Sequence, residues 1–230
     1  MSEDRIAALE ARLDALANQV GRHDDVLAVR NLQFAYGYFM DKCMFPEIVD
    51  LFSDDAELRF MGGLFKGKEG ARRMYGGSSG LAGPTDGMLF EHILAQDIVH
   101  VAEDRQSAEG RFRCFMQGGV HRSKKDAPPS IPPQFLEAGI YENGFIRVDG
   151  VWKIHRFNYR VVWQCSFDEG WANAPDAPLM VSEHRALFPE SPRGPDALEP
   201  QPPRWPKAVV MPFHYTHPVT GAPIRTPEPA

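Results

Sequence analysis

Fourteen of the chain's 20 prolines stand at or after Pro175, and six before it. Proline fixes its own φ, lacks an N–H and drives the preceding residue out of the helical region, so a segment this dense forms neither a helix nor a central strand. The long helices and central strands are therefore confined to the first 174 or so of 230 residues. Three ranges follow: an N-terminal amphipathic helix over 1–24, a body over 25–171 and a proline-rich tail over 172–230. The tail carries Trp205, Val209, Val210, Met211, Phe213 and Tyr215, residue types that a disordered segment lacks. It is expected to run extended, docked on the body or on a neighbouring subunit, with one short helix around 182–187.

Within the body, helical patterns come first and long strands later. Ile6, Leu9, Leu13, Leu16 and Val20 follow the alternating steps of a coiled-coil seam. A second helical pattern runs from Asp25 to Cys43 and stops near Phe45, ahead of Pro46. A short helix over 47–52, two short strands in AELRFMGGLFKG turning at Gly62-Gly63, and a helix over 68–75 come next. Four longer strands are expected over 92–101, 107–117, 135–148 and 151–166, the last two joined at Asp149-Gly150, a hairpin signal. The order argues for an α+β fold with helices laid against a curved antiparallel sheet.

Charge and cysteine usage narrow the function classes. Twenty-five Lys plus Arg against 31 Asp plus Glu give −6, which offers no general attraction to nucleic acid or to an anionic membrane. Cys43, Cys114 and Cys165 are odd in number, far apart and set among apolar residues, as reduced core thiols in the cytoplasm would be. The opening MSEDRIAALEARL lacks the apolar stretch of a secretory signal. His92 and His100 cannot share a metal ion from one strand, since eight residues span about 26 Å. His214 and His217 have no third donor nearby in sequence, and neither a metal nor another cofactor is expected.

Five segments in order carry a resemblance: FMDK at a helix end, LFSDDAELRF, GLFKGKEGARRM, EHILAQDIVHV and GIYENGFIRVDGVWKI. Together they resemble the SnoaL-like branch of the nuclear transport factor 2-like superfamily, over about two thirds of the chain. That family's fold is a cone, a strongly bent sheet wrapped around helices and enclosing a deep pocket. Its members include scytalone dehydratase, ketosteroid isomerase, polyketide cyclases, a hexachlorocyclohexane dehydrochlorinase and lyases of lignin-derived diarylpropanes, while others only bind partners. Fold alone therefore leaves the function open.

The resemblance implies an aspartate at the end of the long helix paired with a strand histidine, and these positions match Asp41 and His92. Asp41 also stands out alone: in the last turn it opposes the helix dipole, a cost of about 0.3–1 kcal/mol if exposed. Helical spacing puts it on a face with Phe34 and Tyr38, and Tyr38 is the candidate donor to a substrate oxygen. A carboxylate on one ring nitrogen of His92 would fix the tautomer and leave the other nitrogen as a base near neutral pH. Phe60, Arg113, Glu137, Tyr141, Asn158 and Trp163 are candidate lining residues on the strands, although sequence parity leaves their direction open. His121 and Lys124, in the basic loop HRSKKD, could reach over the mouth and stabilise an oxyanion. Gly76, Ser78 and Gly80 have the spacing of a nucleophile elbow, but a helix precedes them where that motif needs a strand, so a flexible lid is expected instead.

Asp41 and His92 in an aromatic setting, without nucleotide or metal motifs, point to cofactor-independent elimination on an aromatic, largely apolar small molecule. The resemblance extends this to deformylation and dehydration of a diarylpropane to a stilbene. A dehydratase, a ketosteroid-type isomerase and a non-catalytic binding protein are the alternatives. Aromatic and branched residues on both faces of 157–163 suggest a homo-oligomer, a dimer or a trimer.

Overall fold

The structure, a computed structural model, describes residues 3–76, 82–127, 131–174 and 192–226. The two N-terminal helical patterns form one helix, α1 (Glu3–Asp41, 39 residues), about 58 Å long at 1.5 Å per residue. Gly21 does not interrupt it; a Cβ there would lie 2.1 Å from Nη1 of Arg105, so the glycine makes room for a guanidinium. Residues 3–20, including the whole apolar seam, are exposed. The other half buries Gly21, Asp25, Val29, Gln33, Tyr36 and Gly37, a stripe at three- and four-residue steps.

Pro46 opens the first turn of α2 (Phe45–Asp50), where a missing N–H costs nothing. Then follow β1 (Phe52–Phe60), β2 (Gly63–Lys66), α3 (Gly67–Tyr75), β3 (Met88–Val101), β4 (Ser107–Val120), β5 (Gln134–Val148), β6 (Val151–Ser166) and a two-residue β7 (Ala197–Leu198). The β1–β2 turn is made by Met61 and Gly62, with φ of 49° and 81°, and the β5–β6 turn by Asp149 and Gly150, also 49° and 81°. Positive φ at both central residues matches the right-handed twist of the strands they join.

These strands form one open sheet in the order β3-β4-β5-β6-β1-β2-β7, antiparallel except where β1 runs parallel to β6. Its concave face closes on the second half of α1 over Tyr36, Phe52, Phe112, Tyr141, Phe145 and Phe157. The architecture is thus the expected α+β one, with helices inside a curved sheet.

Two bulges decide which residues face inward. The hairpin register pairs Phe145 with Ile154, and continuing it would set Tyr141 opposite Asn158. A shift between Gly144 and Phe145 sets Tyr141 opposite Tyr159 instead, and a second, between Ala138 and Gly139, sets Glu137 opposite Gln164. One extra residue inverts the side-chain parity of the strand beyond it.

The described tail lies against its own body. Asp196 donates its N–H to Leu64 O (2.8 Å) and Glu199 to Gly62 O (2.8 Å), which adds β7 as an edge strand. Trp205 N–H reaches Val162 O (2.9 Å), at the second bulge. Farther on, Arg111 stacks over Phe213 (4.3 Å), and His214 bonds to His100 (3.1 Å) and to Glu142. Val209 and Val210 remain exposed, so the ring residues rather than these valines hold this part. The helix expected around 182–187 falls outside the described residues. No described helix is long and apolar enough to cross a membrane.

Asp25, almost fully buried, anchors the start of the packed half of α1. It accepts from Arg105 Nε (2.5 Å) and Trp152 Nε1 (3.1 Å), with Arg147 Nη1 at 3.3 Å. Burial alone would raise this carboxyl, but those hydrogen bonds and the arginine charges hold it below its ordinary value. Asp25→Ala would leave the Trp152 N–H buried without an acceptor. It should cost roughly 3 kcal/mol, the lower end for a broken buried pair because the arginines are partly exposed. Urea unfolding at pH 7 measures this. The penalty should shrink as pH falls below the ordinary carboxylate range, because a group with a depressed pKa stabilises only while ionised.

Candidate active site

Asp41, the last residue of α1, meets His92 near the start of β3. One carboxylate oxygen, Oδ1, accepts both the His92 backbone N–H and ring Nδ1, each at 2.8 Å. An ionised carboxylate only accepts, so a neutral His92 ring in this bond carries its proton on Nδ1 and leaves the Nε2 lone pair free. The side chains are 17% and 7% exposed. The arrangement also explains a carboxylate at the unfavourable end of α1: two donors from β3 replace the solvent that would otherwise hold it.

His92, Met116, Glu137 and Gln164 form one row across β3, β4, β5 and β6. Directly opposed residues share a face of the sheet, so all four turn inward. Glu137 is buried and accepts from Tyr159 Oη (2.5 Å) and from Gln164. Burial pushes its carboxyl above the ordinary 4.5, and the two hydrogen bonds, with the charges of His92 and Arg204, offset this only in part. The Tyr159 ring stacks on Tyr141 (4.3 Å between centroids) and on Phe60 (6.0 Å). Gly139 permits this, since a Cβ there would lie 2.3 Å from the Tyr159 hydroxyl oxygen.

Nearby Cys114 is fully buried, and its thiol is pushed up to about 12, by burial first and then by Glu137. At neutral pH it is a packed thiol rather than a nucleophile. Cys43 and Cys165 are likewise free and buried.

Of the residues expected from sequence, Asp41, His92, Glu137, Tyr141 and Phe60 come together inside the cone. Tyr38 does not; it is 73% exposed, and Tyr36, two residues earlier, takes the inward place against Tyr75, Tyr141 and Phe157. Arg113 is on the outer face, bound to Gln96 (2.7 Å). Asn158 is outside as well, where the first bulge puts it, and its backbone N–H is held by Asn143 Oδ1 (2.8 Å). Trp163 packs on Phe115 and Trp171 on the outer face. His121 and Lys124 occupy an exposed loop, engaged with Ser123 and Asp126. His121 also borders a cleft of about 540 Å³ at the ends of β3, β4 and β5 whose lining includes neither Asp41 nor His92 nor Glu137. Residues 77–81, with Ser78 and Gly80, lie outside the described range.

Sequence reasoning missed Tyr159, Gln164 and Arg204. The first two are invisible without the bulges, and the third belongs to the tail. Among the described residues no group of three or more His, Cys, Asp or Glu is placed to hold a metal ion.

The SnoaL-like domain profile matches residues 21–158. Among solved structures, LinA is 19% identical over 70% of this chain and 99% of its own, with a TM-score of 0.53. The hexachlorocyclohexane dehydrochlorinase LinA-type3 of Novosphingobium barchaimii LL02 is 22% identical, covering 68% and 94%, at 0.48. A protein of Novosphingobium aromaticivorans DSM 12444, provisionally called a scytalone dehydratase, is 20% identical, covering 63% and 91%, at 0.49. No curated protein matches the sequence.

The raised Glu137 carboxyl has a sign that can be tested. A carboxyl whose pKa is higher folded than unfolded stabilises fully below its unfolded value and loses that contribution as pH rises through the folded one. Glu137→Gln should therefore gain stability relative to the parent as pH increases from about 4.5 to 8, read from urea midpoints.

Proposed function

Because this chain belongs to the SnoaL-like family, we propose that it is a cofactor-independent lyase acting on an aromatic, largely apolar small molecule. The single observation that carries this is the Asp41–His92 pair, held by two hydrogen bonds to one oxygen inside an aromatic-lined cone. Asp41 orients the ring and balances the charge that His92 gains when Nε2 takes a proton. Glu137, whose burial favours its neutral form, shares the inward row of His92 and is the candidate second proton source. Tyr159 and Gln164 hold that carboxyl in place.

Among substrates, a diarylpropane 1,3-diol suits this base. Nε2 removes the proton of the terminal hydroxymethyl, and the carbon–carbon bond to that group breaks and releases formaldehyde. Its electron pair forms the new double bond, and the benzylic hydroxyl leaves as water after taking one proton back. The products are a stilbene, formaldehyde and water. A dehydratase using the same pair would release water alone.

The purified protein should convert a diarylpropane 1,3-diol with rising stilbene absorbance and equimolar formaldehyde. His92→Ala and Asp41→Asn should each lower turnover by about 10²-fold or more with the fold intact. Turnover of simple dehydration substrates without formaldehyde from the diol would replace this reading with the dehydratase one. Full binding of an aromatic ligand with no turnover of any kind would favour a binding protein.

A homo-oligomer is supported by two uncovered apolar surfaces: the seam of α1 (Leu13 64% exposed) and the outer-face group Ile93, Phe115, Phe167 and Trp171. Light scattering at micromolar concentration should give two or three copies, and Leu9→Asp with Leu16→Asp should lower that number or weaken the assembly.

A further inference from the structure

Arg204 comes from the tail, yet its charge acts on Glu137 inside the cone. Three contacts fix the backbone around it: Trp205 N–H to Val162 O (2.9 Å), Arg160 Nη2 to Pro203 O (3.1 Å) and Trp205 Nε1 to Trp171 O (2.7 Å). Upstream, Gln201 Nε2 donates to Met61 O (3.0 Å) at the β1–β2 turn. The segment thus bridges the end of β1 and the far end of β6, the end at which Asp41, His92, Glu137 and Gln164 also sit. One nitrogen of the guanidinium, Nη2, donates to Gln201 Oε1 (3.1 Å), whereas Nη1 is shielded from solvent and has no hydrogen-bond partner among the described residues. Its charge reaches Glu137, but the two do not form an ion pair.

A buried guanidinium N–H without an acceptor is costly, and Arg stays charged in proteins. Burial lowers the Arg204 pKa, the expected sign for a cation without full compensation, and Glu137 is itself pushed toward its neutral form. That end of the cone therefore carries a positive charge with donor capacity to spare, beside Glu137, Gln164 and the Tyr159 ring. A ligand oxygen that brings negative charge would satisfy both.

We propose that Arg204 is a ligand-binding residue that selects aromatic molecules bearing an anionic oxygen, a carboxylate or a phenolate, and that the tail delivers it as part of the closed site. The proposal deepens the lyase reading by naming a substrate feature, and it rests on the cone being the ligand site. It does not require catalysis, so a binding measurement separates the two.

Calorimetric titration of the full chain carrying His92→Ala, at low salt and pH 8, with cinnamate against cinnamamide and 4-nitrophenolate against 4-nitroanisole is the test. The anion of at least one pair should bind about tenfold or more tightly than its neutral partner, the range for a hydrogen bond to a charged group. The pair that shows the difference identifies the oxygen. Arg204→Gln should abolish the preference and Arg204→Lys keep part of it. Arg160→Gln, which loosens the same tail segment without removing the charge, should retain it. Equal binding within both pairs, no saturable binding of either anion, an undiminished preference in Arg204→Gln, or an equal loss in Arg160→Gln would overturn the proposal. Failure of the diol assay with this preference intact would overturn the lyase reading alone.

Discussion

The packed half of α1 is held across the cone by a carboxylate at each end, and the rest of the site depends on the second of these. Asp41 receives two donors from one residue of β3, a ring nitrogen and a backbone N–H. The backbone bond fixes where the helix end meets the strand, and the ring bond fixes the tautomer. One oxygen thus does a structural and a chemical task together. At the other end Asp25 gathers Arg105, Arg147 and Trp152, from the β3–β4 turn, the end of β5 and the start of β6. With both ends fixed, His92 is presented to the interior on a helix–strand junction rather than on a loop.

The interior opposite His92 is set by irregularity in β6. Ile154 and Phe157 are both buried although three residues apart, as happens when a bulge adds one residue between inward positions. Downstream of that bulge Tyr159 turns inward, and the absence of a side chain at Gly139 leaves room for its hydroxyl. The hydroxyl and Gln164 then satisfy both oxygens of Glu137. The second bulge leaves the Val162 carbonyl to Trp205, and so fixes where the tail crosses. The same two irregularities therefore build the inner wall and dock the tail beside it.

Much of the fold was legible because each element has a local cause. The Asp149-Gly150 turn takes positive φ at both central residues and joins β5 and β6 over close to the expected ranges, whereas the turn expected at Gly62-Gly63 falls one residue earlier, at Met61-Gly62, and β1 starts at Phe52, within the range expected for the short helix. Asp41 and His92 were legible through family resemblance and through the odd placement of a carboxylate at a helix C-terminus. Tyr38 misled because helical spacing gives a face only to within one residue, and here the inward stripe passes through Tyr36 and Gly37. Asn158 misled because parity along a strand holds only until the first bulge. Arg113 and Trp163 are polar and aromatic residues of the outer face, and nothing local distinguishes that face from the inner one in strands apolar on both sides.

The sequence by itself determined the α+β order of elements, the Asp149-Gly150 hairpin turn and the candidate pair Asp41 and His92. Propensity, turn chemistry and proline sterics act over a few residues and can be read in line. Only the tertiary structure decided that α1 runs unbroken past Gly21, that Glu137, Tyr159 and Gln164 form one buried group, and that the charge of Arg204 in the tail acts on Glu137. Those outcomes depend on a bulge that inverts parity and on contacts between segments far apart in the chain. Their energies come from burial and hydrogen-bond satisfaction, which exist only once the sheet has curved and its partners have met.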